Sequence, residues 1–205
     1  MKKVPATFDF EKSLWNKNKE YIVGIDEVGR GAWAGPLVAA AVIFPKNYNC
    51  RYKLFDSKLL NFLQREELAK TIQKEALCFG IGQTEVGEIE KLGLTQATQL
   101  SYMRALGKLD CQPDHYLIDA FYINSLERQN QTAIVHGDYL CASIAAASIV
   151  AKVFRDDLMR KFPQEYQPYK FDRNKGYGTK EHQEAILEIG LSDAHRSNYN
   201  LKILQ

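Results

Sequence analysis

Short apolar runs bounded by glycine and proline give the first structural signal in this chain. Residues 21–26 (YIVGID) and 37–44 (LVAAAVIF) are mostly apolar, and a glycine-rich connection joins them. Runs of this length and composition are typical of buried β-strands. We therefore predict an early hairpin from this pair. Residues 77–86 alternate apolar and small or polar positions, which predicts a third strand.

Other stretches carry the spacing or the composition of helices. Residues 8–19 predict a short first helix, and residues 62–76 a longer second one. A helical stretch is predicted to start at Glu88-Ile89-Glu90, and Thr95 suits the N-cap of a helix that runs to residue 109. Residues 139–161 are rich in alanine, and their small face would let a long helix pack closely on a sheet. A last helix is predicted over residues 181–189.

Two more short apolar segments, 115–118 and 132–135, complete the pattern of strands. Strands first, followed by mixed strands and helices, imply an α/β fold with a mixed β-sheet flanked by helices. The composition changes after Phe162, where aromatic residues interleave with lysine and arginine. We therefore predict a main domain over residues 1–160 and a small C-terminal helical extension over residues 161–205 that contributes to substrate binding.

The composition is that of an ordinary globular protein, with 205 residues, 45% hydrophobic and 25% charged. A formal net charge of +2 permits an anionic partner without requiring one. The N-terminal residues lack an apolar signal segment, and no apolar run is long enough to span a bilayer, so we expect a cytoplasmic protein without a membrane partner. The four cysteines form no C-x-x-C pair, which favours free thiols over a zinc site or a disulfide framework.

Three acidic residues share one kind of position. Asp26, Asp119 and Asp138 each stand where a buried run ends and a loop or helix begins, and the ends of sheet strands are common places for sites. Carboxylates gathered without matching cations repel one another, and Mg²⁺ relieves such repulsion with oxygen ligands. A site of this kind suits phosphodiester hydrolysis. The alternative is that each acid forms a turn or caps a helix, as Asp138 could after Gly137.

Glu27 raises a geometric problem, because consecutive side chains of a strand point to opposite faces. Gly29 and Gly31 would permit a bend that brings Glu27 to the side of Asp26. These glycines also look like a dinucleotide-binding loop. However, two preceding anions would repel a pyrophosphate, and the residues after Pro36 predict a strand where that loop requires a helix.

Asp156 competes with Asp138 for a catalytic role. On one continuous helix the two would lie about 27 Å apart, at about 1.5 Å per residue, and could not share a metal ion. Asp138 is preferred because it stands at a junction. Asp156 is expected to pair with a neighbouring base.

Several ordered motifs resemble those of ribonuclease HII, the bacterial and archaeal type 2 ribonuclease H, over nearly the whole chain. The motifs are GIDEVGRG (24–31), AGPLVAAAVI (34–43), DSKLL (56–60), YLIDA (116–120), HGDYLCASIAAASIVAKVFRD (136–156), KGYGTKEH (175–182) and AHRSNY (194–199). The resemblance implies an RNase H-like catalytic domain that uses Mg²⁺ or Mn²⁺ in a two-metal-type mechanism.

The implied substrates are RNA in RNA–DNA hybrids and duplex DNA with single embedded ribonucleotides. The cut would fall 5′ of the ribonucleotide, leave 3′-hydroxyl and 5′-phosphate ends, and be made by a monomer. The implied catalytic and metal-binding carboxylates are Asp26, Glu27, Asp119 and Asp138. The implied substrate-binding residues are Gly29, Arg30, Gly31, Lys58, Tyr177 and Arg196. Among these, the Gly-Arg-Gly loop would sense the 2′-hydroxyl, which alone tells RNA from DNA locally, and Tyr177 would stack near the junction sugar.

The aromatic and basic residues of 160–182 suit contacts with backbone and sugar, and the alternative is a solvated face with packed tyrosines. His182 and His195 are expected to be structural or to lie near phosphate. Departures from the family pattern, which put local loop shape in doubt, are Ala32-Trp33, Gly93, Ala120 and Tyr199.

Two rival functions stay open. A ribonuclease HIII-like hybrid endonuclease shares the D-E-x-G opening. It typically carries an N-terminal substrate-binding domain and lacks the G-R-G loop, and this chain has about 20 residues before its first predicted strand. A catalytically silent hybrid-binding module is the other, and the presence of all four acids speaks against it.

Overall fold

The computed structural model describes residues 4–54 and 60–199. Within them, five strands form a mixed sheet in the order β3-β2-β1-β4-β5. The strands are β1 (Ile22–Val28), β2 (Leu37–Ile43), β3 (Cys78–Thr84), β4 (His115–Asp119) and β5 (Gln131–Ile134). β1, β2 and β3 pair antiparallel, while β4 and β5 continue the sheet parallel to β1. The predicted hairpin and the predicted mixed sheet are confirmed.

Helices lie on both faces of this sheet. In the described ranges they are α1 (Asp9–Trp15), α2 (Phe62–Glu75), α3 (Val86–Leu106), α4 (Gly137–Leu140), α5 (Ala142–Arg160), α6 (Phe171–Asn174) and α7 (Lys180–Ile189). Short 3₁₀ turns occupy Arg128–Asn130 and Gln164–Tyr169. None of these helices is long and apolar enough to cross a bilayer.

Alternate residues of β1 enter two different cores. Ile22 packs with α1, α2 and α5 on one face, whereas Val23 and Ile25 pack with Tyr102 of α3 on the other. α5 lies very close to its face, because a Cβ added to Gly24 would come within 2.1 Å of the carbonyl carbon of Ser143. The small face predicted for the alanine-rich helix therefore packs on the sheet as expected.

The long helix predicted over residues 139–161 is interrupted at its start. Cys141 has extended backbone angles (φ −111°, ψ 125°) and separates α4 from α5. Thr7 pairs with Cys141 as an isolated parallel bridge. Glu11, fully buried, accepts a hydrogen bond from the Ser143 amide at 2.8 Å. The N-terminal segment therefore interrupts the helix at Cys141, and no local pattern in the sequence predicts this break.

A second helix prediction is more nearly right. The predicted start at Thr95 falls close to Gly93, where α3 has a non-helical kink (φ 77°, ψ 159°). The helical stretch predicted from Glu88 lies before the kink and is confirmed, since α3 begins at Val86.

The expectation of four free thiols is wrong for one pair. Cys78 and Cys111 form a disulfide, whereas Cys50 and Cys141 are free. Cys78 begins β3, and Cys111 lies in the loop before β4, so the topology brings together residues separated by 33 positions. No spacing motif marks such a pair in the sequence.

The residues after α5 fold around a small apolar cluster of their own. Tyr169, Phe171 and Ile186 belong to it, and the loop between β1 and β2 contributes Ala34. Because Tyr169 and Phe171 are buried here, they are packing residues rather than surface contacts. The division of the chain near residue 160 stays a prediction.

Candidate active site

Three parallel strands deliver acidic residues to one edge of the sheet. In the β1–β4 pairing Ile25 lies opposite Ile118, so Asp26 and Asp119 come next along neighbouring strands. β5 ends beside Asp119, and Asp138 follows in α4. These carboxylates and Glu27 line one cavity of about 430 Å³. The sequence therefore predicted correctly which acids meet at this edge.

Glu27 reaches the cavity by a route that the sequence did not suggest. β1 remains regular through Val28, with Glu27 paired to Ala39, so the glycines do not bend it round. Asp26 lies on the α5 face, and Glu27 lies on the α3 face, where its carboxylate accepts a hydrogen bond from the Tyr102 hydroxyl. Both acids line the cavity because it sits at the end of the strand, where the two faces of the sheet meet.

Burial and repulsion both act on the carboxyl group of Asp26. Its side chain is buried, and burial raises the pKa of its carboxyl well above the ordinary value. Glu27, Asp119 and Asp138 raise that pKa further by repulsion, and a hydrogen bond from Ser148 opposes them. Burial also raises the pKa of Glu27, against the effects of Tyr102 and Arg30.

The residue types fit a hard divalent cation, because four carboxylates line one cavity and Lys152 is the cation among its described lining residues. As they stand, no three His, Cys, Asp or Glu side chains in the described ranges are gathered closely enough to hold an ion. Two acids point to other partners: Glu27 to Tyr102, and Asp119 to the Gly137 amide at 2.7 Å. Ligation by all four would require side-chain rotation.

The predicted Gly-Arg-Gly loop lies directly beside these acids. Gly29 has a φ of 95°, and a Cβ there would lie 2.3 Å from Nε of Arg155, so the position requires glycine. Arg30 forms an ion pair with Glu27 at 3.5 Å and lies over the ring of Phe121. Gly31 is exposed, with open space where a side chain would project. The backbone near Gly31 is therefore accessible to a sugar.

Arg196, predicted to bind substrate, is fully buried beneath this loop. Its guanidinium donates hydrogen bonds to the carbonyl oxygens of Gly29 (2.7 Å), Arg30 (3.2 Å) and Gly35 (2.8 Å). It also donates to the hydroxyl of Tyr199 at 3.0 Å. Any effect of Arg196 on substrate therefore passes through the loop that it holds.

Arg155 is a second buried arginine that donates to backbone carbonyls, and it was not among the residues predicted for the site. It donates to the carbonyl oxygens of Ala34 (3.1 Å), Pro36 (2.8 Å) and Lys175 (2.9 Å). It thereby ties the β1–β2 loop to the C-terminal region.

The sequence did contain a signal for Arg155. Counting by four along α5 gives Ala147, Ala151, Arg155 and Met159, and all of them are buried. An arginine that continues an apolar stripe must find acceptors inside the protein.

Tyr177 lines the cavity beside the acids, and its stacking on a sugar stays a prediction. Its carbonyl oxygen can only accept a hydrogen bond, so His182 donates to it through Nδ1–H at 2.9 Å. His195 then donates through Nε2–H to the bare Nε2 of His182 at 3.0 Å, and its Nδ1 accepts from Ser192. Both rings are buried, which favours the structural role of the two roles expected for them.

Burial lowers the pKa of both rings, and repulsion from His182 helps to lower that of His195 to about 4. The two rings are therefore neutral at pH 7.

The other residues named from the sequence are placed as follows. Asp156 pairs with Lys152 at 2.6 Å, so the expected partner base is confirmed. Lys58 and most of the DSKLL motif lie outside the described residues. Trp33 packs against Gly178, where a Cβ would approach its ring to 2.2 Å. Ala120 adopts the left-handed conformation that favours glycine, with a φ of 55°.

This sheet, with carboxylates at the ends of β1, β4 and β5, is the RNase H-like fold, and solved structures of that fold match it. Ribonuclease H2 from Pyrococcus horikoshii OT3 is 21% identical with a TM-score of 0.70, covering 88% of this chain and 94% of that chain. RNase HII in the PCNA:RNase HII complex from Archaeoglobus fulgidus is 23% identical with a TM-score of 0.67, and the match covers 88% of this chain and 96% of that chain. Bst-RNase HIII in complex with Mn²⁺ is 19% identical with a TM-score of 0.69, and the match covers 89% of this chain and 68% of that chain.

The family model described as Ribonuclease HII matches residues 23–202. The chain belongs to the ribonuclease HII family. It is a type 2 ribonuclease H, an endonuclease class that acts on RNA–DNA hybrids and depends on divalent metal ions.

Proposed function

We propose that this protein cuts the RNA strand of RNA–DNA hybrids and also cuts 5′ of single ribonucleotides in duplex DNA. The products would carry 3′-hydroxyl and 5′-phosphate ends. The observation that carries the proposal is the cavity lined by Asp26, Glu27, Asp119 and Asp138 beside an accessible glycine loop. We further propose that the protein acts as a monomer.

Asp26, Glu27, Asp119 and Asp138 would hold Mg²⁺ or Mn²⁺ after rotation of Glu27 and Asp119 into the cavity. Two bound ions would supply a metal-activated water and charge stabilisation for the attacking and leaving oxygens. The structure of Bst-RNase HIII is a complex with Mn²⁺, and this supports a divalent cation here.

The chain's own residues would position the substrate. Backbone at Gly29, Arg30 and Gly31 can approach a 2′-hydroxyl closely, because the glycines carry no Cβ. Tyr177 lines the same cavity, and its ring would pack against the sugar at the junction. His182 holds the carbonyl of Tyr177 and so keeps the ring in place.

A labelled DNA duplex with one ribonucleotide, incubated with Mg²⁺ or Mn²⁺, tests the proposal. We expect one cut, 5′ of the ribonucleotide, and no cut without a divalent ion. Asp26→Asn and Asp119→Asn should each nearly abolish cleavage while preserving the thermal melting curve. Asp110→Asn is the matched control, because Asp110 is exposed and precedes β4 at the opposite end of the sheet. Full activity in either cavity variant would refute the assignment.

Tyr177→Ala separates the two proposed substrates. We expect a larger loss on the single-ribonucleotide duplex than on a long hybrid, since one sugar then provides all the recognition. Tyr177→Phe keeps the ring and should keep most of the activity. Equal losses on both substrates would contradict the junction role of this ring.

A further inference from the structure

A second cavity, of about 330 Å³, lies next to the active site, and Arg30 on its wall pairs with Glu27 of the active site. Its lining residues are Arg30, Thr95, Thr98, Gln99, Phe121, Tyr122, Asn124 and Arg128. We propose that this second cavity binds a backbone phosphate of the nucleic-acid substrate at a position away from the cut. The inference deepens the proposed function and rests on it.

The second cavity differs from the active site in charge. Among the described residues that line it are two arginines and no carboxylate, whereas four carboxylates line the active site. An anion is therefore attracted to the cavity on one side of Arg30 and repelled by the carboxylates on the other side. Hydroxyl and amide side chains complete the lining, and these groups commonly contact phosphate oxygens in nucleic-acid complexes.

Aromatic rings hold the two arginines in place. The guanidinium of Arg30 lies 4.4 Å from the centroid of the Phe121 ring, and that of Arg128 lies over the ring of Tyr122. A guanidinium stacked on a ring keeps its N–H groups in the plane at its edge, where they can donate to phosphate. Phe121 is 44% exposed, so this wall of the cavity is open to a large ligand.

The wall of the cavity is built in advance of binding. The left-handed turn at Ala120 directs the chain away from β4 immediately after Asp119. Gln99 of α3 then holds the following segment from both sides, donating to the Tyr122 carbonyl at 2.9 Å and accepting from the Asn124 amide at 2.8 Å. A preformed polar wall pays little ordering cost when it binds.

The second cavity and the active site adjoin at Arg30. Arg30 pairs with Glu27, which lines the active site. Successive phosphates of one strand rise about 3.4 Å along a duplex axis. A strand bound in the active site carries further phosphates at this spacing, and the proposal places one of them in the second cavity.

The test replaces Arg128, which is exposed and lines the second cavity only. For Arg128→Gln we expect KM for a long RNA–DNA hybrid to rise about tenfold at fixed salt, with kcat nearly unchanged. The slope of log KM against log salt should fall by about 1, the value for one lost phosphate contact. Arg51→Gln is the matched control, since Arg51 follows β2 at the opposite end of the sheet. It should change neither quantity.

A methylphosphonate scan locates the contact. Hybrids that carry one neutral methylphosphonate at successive uncut positions should show a raised KM with the wild-type protein at one position. Arg128→Gln should be insensitive at that same position. If no position is sensitive, or if Arg128→Gln and the wild type respond alike at every position, the proposal is wrong.

Binding measured by fluorescence anisotropy keeps this test separate from cleavage. If the wild-type protein bound a labelled hybrid but did not cut it, the proposed function would fail. The dependence of hybrid binding on salt, compared between the wild type and Arg128→Gln, would still test the phosphate site. Equal slopes would overturn the site even in an active enzyme.

Discussion

Replacing Arg196 tests whether the glycine–arginine loop depends on a buried cation. The side chain is fully buried and donates to three loop carbonyls, those of Gly29, Arg30 and Gly35. Arg196→Met keeps much of the apolar volume and removes every donor. Arg196→Lys keeps the charge but offers one compact ammonium, which cannot match the planar fork of donors.

The magnitude follows from the three carbonyls. A buried polar group that loses its partner costs about 1–3 kcal/mol. The loop lies near the surface and water can reach part of it after relaxation, so we expect Arg196→Met to lower the free energy of unfolding by about 3–5 kcal/mol. That is a large share of the roughly 5–15 kcal/mol that stabilises a typical domain. Arg196→Lys should lose less, about 1–3 kcal/mol.

Urea unfolding at pH 7, followed by tryptophan fluorescence and far-UV circular dichroism, measures the loss. Cleavage kinetics on a hybrid provide the second readout. If Arg196→Met kept the wild-type midpoint while KM rose, Arg196 would contact substrate directly and its buried position would be the wrong explanation. Complete rescue by Arg196→Lys would also refute the argument, because it would make charge sufficient without the fork.

The remaining predictions concern packing, acid pH and one backbone strain. Gly24→Ala should lower the free energy of unfolding by about 1–3 kcal/mol or more, because the added Cβ would collide with the α5 backbone. Gly87→Ala is the control and should not lower it, since the space around Gly87 is open. Thermal melting compares the two variants. His182 and His195 resist protonation in the folded state, so the unfolded state binds more protons below pH 6.5 and stability should fall as pH drops from there towards about 4. NMR titration of the ring protons checks this, and a midpoint at or above 6.5 for either ring would contradict it. Ala120→Gly should relieve the strain of a left-handed alanine and raise the free energy of unfolding by up to about 1 kcal/mol. The entropy that glycine adds to the unfolded chain reduces this gain. An unchanged or lower free energy of unfolding in urea would mean that the entropy outweighs the relief of strain.

The candidate site shows where sequence reasoning holds. Asp26, Asp119 and Asp138 could be chosen because each stands where a buried apolar run ends, and such ends are visible in local hydropathy. Their meeting required only that the three strands be parallel neighbours, and the sheet order confirms that they are. For these acids, local pattern and one topological rule were sufficient.

Glu27 shows where such reasoning fails. Alternation along a strand correctly places it opposite Asp26, but the sequence does not show that the cavity lies beyond the strand end and is open to both faces. The predicted bend at Gly29 is therefore absent, and that glycine instead makes room for Arg155.

The sequence by itself determined the strands, most of the helices, the family motifs and which acids stand at strand ends. These depend on periodicity and on residues that are neighbours in the chain. Only the tertiary structure decided the break at Cys141, the Cys78–Cys111 disulfide, the buried position of Arg196 and the carbonyl groups that Arg155 meets. Each of these arises from contacts between segments far apart in sequence, such as Thr7 with Cys141. Local hydropathy records whether a side chain is buried, and it does not record which distant group it meets.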